Sequence, residues 1–295
     1  MNTIGVDVGG TKVAAALVDE AGGVLRESRT ETDSSSYGSM LTGITGAVAG
    51  LGEASAAVGL AIAGNVAADG SHVLFSPHLP LGGEPLAADL RERLGVPVVL
   101  DNDANAAAWA EQQIGAGRGA SEVLFVALGT GLGAGLICGG ELYRGWMGFA
   151  GEAGHLTVVV DGRACPCGSR GCWERYASGT ALVAEYIERW GDPEVGGPAI
   201  TAAAAAGEPR ALAALTTVGE WLGRGLASLI AVLDPQRIVV GGGLGEAGEL
   251  LLGPAREVMA QTVTGAGRRP LPEVVPAALG NRAGVIGAAF EAARL

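Results

Sequence analysis

Thr3-Ile4-Gly5-Val6-Asp7-Val8-Gly9-Gly10-Thr11-Lys12-Val13-Ala14-Ala15-Ala16-Leu17-Val18 is the stretch whose reading decides the fold of this 295-residue chain. Two apolar runs flank Gly9-Gly10. The pattern predicts a β-hairpin, with strands over 3–8 and 11–18 and a tight turn between them. A dinucleotide-binding fold would need a helix after these glycines. Ala21-Gly22-Gly23 then turns into a third strand, at about Val24 to Thr30.

Further along, Val58–Ile62 and Val96–Leu100 read as apolar strands, and Leu86–Leu94 and Asp103–Gln113 as helices. Val123–Leu128 and Ala134–Cys138 read as paired strands around a second glycine-rich turn. The second half is Ala-rich and helical over about 179–190 and 212–233. It then has short strands at 237–240 and 273–277 and a closing helix at 283–294. The segments 3–18 and 123–138 are both strand, glycine turn, strand, which suggests a duplicated α/β unit.

Composition narrows the function. A net charge of -12 argues against a general nucleic-acid or anionic-membrane binder. There is no uninterrupted apolar stretch of about 18 residues and no basic-then-apolar leader. The four cysteines include three in one short segment, which suits a reducing compartment, so a cytoplasmic protein is expected. Lys12 is the one lysine beside 18 arginines, a ratio that most simply reflects codon usage. Against that background Lys12 draws notice, as do Asn102 and Asn105 among only five asparagines.

Gly151-Glu152-Ala153-Gly154-His155 is followed ten residues later by Cys165-Pro166-Cys167-Gly168-Ser169-Arg170-Gly171-Cys172. One imidazole and three thiols are enough for a closed structural zinc site, with His155, Cys165, Cys167 and Cys172 as ligands. Gly168 and Gly171 let the backbone fold tightly around an ion. The alternative is a redox pair or scattered buried thiols, but the spacing is C-x-C rather than C-x-x-C, and a histidine is at hand. Glu152 and Glu174 bracket the cluster. Both are either hydroxyl-binding groups beside a pocket or plain surface acids.

Three glycine turns follow strands. In Asp7-Val8-Gly9-Gly10-Thr11-Lys12, bare backbone N–H groups could cradle phosphate oxygens. Asp7 could hold magnesium or its waters. A simple capped hairpin turn is the plainer alternative. Gly129-Thr130-Gly131 repeats the theme, and Gly241-Gly242-Gly243 lets something flat, such as an adenine or ribose, approach the backbone. Asp101-Asn102-Asp103-Ala104-Asn105 closes a strand on its C-terminal side, where α/β proteins place ligands. Asp103 can accept a proton from a hydroxyl during phosphoryl transfer, or the segment can be a helix N-cap. His78, in a loop, reads as an exposed histidine.

Together these segments resemble the ROK family of sugar kinases. The resemblance is carried by DVGGTK at 7–12, DNDANAAAWAE at 101–111, LGTGLGAG at 128–135, GEAGH at 151–155, CPCGSRGCWERYASG at 165–179 and VVGGGL at 239–244. It implies an actin-like ATPase (ribonuclease H-like) α/β fold, with two α/β domains, a cleft between them and a zinc-binding loop. The implied limits are 1–104 with 281–295 for a smaller N-terminal domain, and 105–280 for a larger one carrying zinc.

The implied activity is ATP-dependent phosphorylation of glucose at the 6-hydroxyl. N-acetylglucosamine, N-acetylmannosamine or mannose are alternative substrates, and a non-catalytic sugar sensor is an alternative role. The resemblance makes Asp103 the general base. Gly64, Asn102, Glu152, His155 and Glu174 become sugar contacts. Asp7, Gly9, Gly10, Thr11, Lys12, Thr130, Gly131, Gly241, Gly242 and Gly243 become the surroundings of ATP and its magnesium. It also implies a homodimer or homotetramer. Asp7 stands too near the start for a preceding helix-turn-helix segment of the kind found in the family's repressors. The family's Ser-Pro-Asn-Leu loop reads Ser76-Pro77-His78-Leu79 here, which leaves the choice of hexose open.

Overall fold

The computed structural model describes residues 2–53, 55–191 and 194–295. By contacts the chain divides into two units. The first comprises Met1–Gly119, Gly135–Gly151 and Asn281–Leu295, and the second Ala120–Ala134 and Glu152–Gly280.

The first half contains β1 (Thr3–Val8), β2 (Lys12–Val18), β3 (Val24–Glu31), α1 (Tyr37–Ala49), β4 (Val58–Ile62), β5 (Asn65–Val66), β6 (Val73–Phe75), α2 (Leu86–Leu94), β7 (Val98–Asn102) and α3 (Asp103–Gln113). The expected hairpin is present: β1 pairs antiparallel with β2 from Thr3↔Val18 to Val8↔Val13. The sheet order is β3-β2-β1-β4-β7, with β4 and β7 parallel to β1 and to each other in turn.

Strand periodicity sorts the two faces of this sheet. Ile4, Val6 and Val8 of β1, with Val58, Leu60 and Ile62 of β4, enter a core closed by Met40, Leu41 and Ile44 of α1 and Leu86 and Leu90 of α2. Full burial of each such side chain contributes roughly 1.5–3 kcal/mol. The intervening positions are small. A Cβ on Gly5 would lie 1.8 Å from the Val285 carbonyl oxygen, and one on Gly59 would lie 1.8 Å from that of Ala288. Glycine here lets helix α8 (Ala283–Ala292) lie directly on the sheet. α3 then packs on α8, with Ala61, Ala106 and Ala288 at the junction. Gly59→Val is expected to lower stability by about 3 kcal/mol, because the side chain has nowhere to go without moving backbone. A urea or thermal melt that matches the wild type would contradict this account of the packing.

The second half contains β8 (Val123–Leu128), β9 (Leu132–Cys138), β10 (Glu141–Leu142), α4 (Gly179–Trp190), α5 (Gly197–Ala205), α6 (Pro209–Leu233), β11 (Arg237–Gly241), α7 (Glu249–Thr262) and β12 (Glu273–Pro276), before α8. Its sheet runs β10-β9-β8-β11-β12, with β11 parallel to both β8 and β12 and β10 antiparallel to β9. Both sheets thus place their strands third-second-first-fourth-fifth, as the duplication reading expects. α6 packs along α7, α4 and α5. Among the described residues no helix is long and apolar enough to cross a membrane.

Some bounds differ from expectation. The strand expected at 96–100 is Val98–Asn102, because Asp101 and Asn102 continue the ladder opposite Ala61 and Ile62. The contact units also do not coincide with a limit at 104. α3 belongs with the first unit through its packing on α8, and 135–151 joins it.

Candidate active site

In the first unit the Gly9-Gly10 turn closes with the Gly9 N–H donating to the Lys12 carbonyl at 3.0 Å. The Thr32 hydroxyl donates to the Gly9 carbonyl at 2.7 Å and fixes the turn from behind. Gly10, Thr11 and Lys12 are exposed. Asp7 sits near the end of β1, facing the first turn of α8: a Cβ on Gly284 would lie 3.6 Å from its Oδ2. Burial raises the Asp7 pKa, opposed by the Lys12 charge. His78 is exposed, as expected, but it lies against the turn, 3.4 Å from a Cβ built on Gly10.

In the 101–105 segment the cap of α3 falls on Asn102 rather than on Asp103. Asn102 is the N-cap of α3, its Oδ1 accepting from the backbone N–H of Ala104 at 2.9 Å and of Asn105 at 3.1 Å. Its Nδ2 donates to the Gly64 carbonyl at 3.1 Å and to Asp103 Oδ1 at 3.0 Å. The same Oδ1 accepts from the Ala104 N–H at 2.9 Å. One oxygen of Asp103 is therefore held, and Oδ2 has no hydrogen-bond partner among the described residues. Asp103 keeps solvent-accessible surface, yet desolvation, helped by the nearby Asp7 charge, pushes its pKa up to about 6. Bonds from Asn102 and the backbone oppose that rise. Gly64 follows β4 closely: a Cβ there would lie 2.7 Å from the Phe75 carbonyl oxygen.

In the second unit the Gly129-Thr130-Gly131 turn is stapled to the start of α4. Gly179 N–H donates to the Gly129 carbonyl at 2.8 Å, and the Thr180 hydroxyl to that of Thr130 at 2.7 Å. Glu174 lies against the turn, its Oε2 2.8 Å from a Cβ built on Gly131. Gly242 has φ +79°, which a side chain would strain, and the turn it makes brings the Leu244 N–H to the Leu128 carbonyl at 2.9 Å. Space beside Gly243 is open.

His155, Cys165, Cys167 and Cys172 converge, their donor atoms all within 4.8 Å of one another. Cys165 Sγ is 3.8 Å from His155 Nδ1, and Cys167 Sγ is 3.6 Å from Cys172 Sγ. The edges of a tetrahedron of zinc–sulfur bonds are about 3.8 Å long, so these residues fit structural zinc. The other ring nitrogen, Nε2, is 3.8 Å from Glu152 Oε2. Glu174 Oε1 lies 4.0 Å from His155 Nδ1 and 3.1 Å from Cys165 Sγ. Gly168 and Gly171 have φ of +91° and +74°, as a tight loop requires. Glu152 is exposed and Glu174 partly buried, so only the second departs clearly from a plain surface acid.

Sequence reasoning missed Arg144, which contacts Asp101 and Glu291. No local pattern marks it, since its partners lie far away along the chain.

Two sheets of one strand order, each opening on strand, glycine turn and strand, with a His/Cys3 metal cluster, define an α/β protein of the actin-like ATPase type. The chain belongs to the ROK family, whose model matches residues 3–294. It is 43% identical to the glucokinase of Streptomyces coelicolor, covering 97% of this chain and 96% of that protein. A ROK family glucokinase from Streptomyces griseus, solved with glucose and AMPPNP, superposes with a TM-score of 0.92 at 42% identity, covering both chains fully. A ROK hexokinase from Thermus thermophilus superposes with a TM-score of 0.85 at 33% identity, covering 100% of this chain and 98% of its own.

Proposed function

We propose that this chain transfers the γ-phosphoryl group of Mg-ATP to the 6-hydroxyl of glucose. The observation that carries the proposal is Asp103, with one carboxylate oxygen held and the other open at the N-terminus of α3. Full-length likeness to glucokinases supports the substrate pair. In this reading the glucose O6–H proton passes to Asp103 Oδ2 as O6 attacks the γ-phosphorus. The bond from phosphorus to the ADP oxygen breaks, and glucose 6-phosphate and ADP leave.

Asn102, Gly64, Glu152, His155 and Glu174 hold the sugar. Asp7, Gly9, Gly10, Thr11, Lys12, Thr130, Gly131 and Gly241 to Gly243 would bind the nucleotide, and Asp7 would hold its magnesium or the ion's waters. His155, Cys165, Cys167 and Cys172 hold zinc, which contributes structure by tying the helical turn at 173–175, which bears Glu174, to the helical turn at 153–155, which Glu152 precedes. A cytoplasmic homo-oligomer belongs to the same reading.

A coupled ADP-release assay against glucose, mannose, N-acetylglucosamine, N-acetylmannosamine and fructose tests it. The highest kcat/KM belongs to glucose. A clear preference for an N-acetyl sugar would keep the chemistry and overturn the substrate.

The pH dependence follows from the same carboxylate. Only ionised Asp103 accepts a proton, and its pKa is pushed up to about 6. kcat/KM is therefore expected to be flat above that value and to fall about tenfold per pH unit below it. An acid limb in the ordinary carboxylate range near pH 4 would contradict the environment described for Asp103.

A further inference from the structure

Next to the Asp103-bearing turn lies a buried ionic group that the proposed chemistry does not use. Arg144 bridges Asp101 and Glu291, whose side chains are 3% and 7% exposed. Arg144 Nε donates to Asp101 Oδ2 at 2.9 Å, and its Nη2 lies 2.7 Å from the same oxygen while pairing with Glu291 Oε2. The three residues come from the end of β7, the segment after β10, and α8.

The second oxygen of Asp101 is equally committed. Oδ1 accepts from the Asn102 backbone N–H at 2.7 Å and from Asn105 Nδ2 at 2.9 Å. These two donors flank Asp103. Both oxygens of Asp101 thus work on one junction, Oδ2 tied to the guanidinium and Oδ1 to the residues either side of the base. A guanidinium fork can serve two carboxylates at fixed angles, which a lysine cannot do. Two buried carboxylates without that cation would repel, and one would take up a proton. The Asp101 carboxylate would then be free to turn, and the first turn of α3 would lose its anchor.

We propose that Arg144 is a positioning residue for phosphoryl transfer, acting through Asp101 to fix the Asn102–Asp103 turn so that Asp103 Oδ2 faces the sugar hydroxyl. The proposal rests on the reading of Asp103 as the base.

The test compares Arg144→Met, Asp101→Asn and the double variant in the full-length, zinc-replete protein, with separate kcat and KM for glucose and ATP. Arg144→Met is expected to lower kcat by about 100-fold, as a base displaced by about 1 Å would. KM for ATP should stay within about threefold, since a group acting on the base does not bind nucleotide. The double variant should be no slower than Arg144→Met, because both changes break one linkage. Arg144→Lys should restore part of the loss.

Arg256→Met, which removes a part-buried arginine bonded to the Val274 carbonyl in the second unit, serves as the control for lost stability alone and should keep kcat. Should Arg144→Met fail to fold, Asp101→Asn carries the test through a kcat lowered about tenfold, since it keeps the shape and the Oδ1 acceptor but weakens the tie to Arg144. The proposal is overturned by a folded Arg144→Met with kcat within about threefold of wild type, by losses that multiply in the double variant, or by unchanged kcat in Asp101→Asn. Failure of the underlying reading looks different: Asp103→Asn would then retain turnover, whatever Arg144 does.

Discussion

Asp103→Asn is expected to lower kcat by about 100- to 10,000-fold, the usual contribution of a positioned general base. The substitution is nearly isosteric. Its amide oxygen can still accept from the Ala104 N–H and from Asn102 Nδ2, which hold Oδ1 in the native turn. The start of α3 is thus preserved, and zinc content and melting behaviour should match the wild type. The atom at the Oδ2 position can no longer take a proton, because an amide at neutral pH is not a base. KM for glucose should change much less than kcat, since the lost interaction belongs to the transition state. The measurement is steady-state kinetics on metal-analysed protein. A kcat within tenfold of wild type would remove Asp103 from the base role.

Cys167→Ser is expected to reduce bound zinc from about one per chain to near zero and to raise KM for glucose by about 10- to 100-fold. Cys167 is the useful ligand to change because it is exposed, whereas Cys172 is fully buried and its loss would also disturb packing. A closed tetrahedral site missing one thiolate binds zinc far more weakly. His155 then loses its anchor, and with it the placement of the ring against Glu152 and of Glu174 beside Cys165. Metal analysis and glucose titration on the same preparation check both halves. A zinc-free variant with unchanged KM would show that the metal does not organise glucose binding.

Much of this site was legible in the chain because its signals are local. Glycines between apolar runs marked the turns at 9–10, 129–131 and 241–243, and each follows a strand. The His and three Cys stood close enough in sequence to be grouped, and the structure groups them. Elements whose local chemistry opposes their fold were not legible. α1 has three glycines within Tyr37–Ala49, each costing about 1 kcal/mol relative to alanine in a helix. It forms because Met40, Leu41, Ile44 and Ala47 bury against the sheet. α7 carries Pro254 inside it, a residue that normally ends helices. The ion group of Asp101, Arg144 and Glu291 was invisible for a different reason. It exists only once β7, the segment after β10, and α8 have met, and no spacing along the chain encodes that meeting.

The most direct test of the account is to identify the product. Zinc-replete protein is incubated with Mg-ATP and glucose and followed by phosphorus NMR, with Asp103→Asn run alongside. Glucose 6-phosphate and ADP are expected to appear in equal amounts with the native chain, and neither should accumulate with the variant. ATP left unconsumed by the native protein, phosphate appearing at another hydroxyl, or equal product from the variant would contradict it.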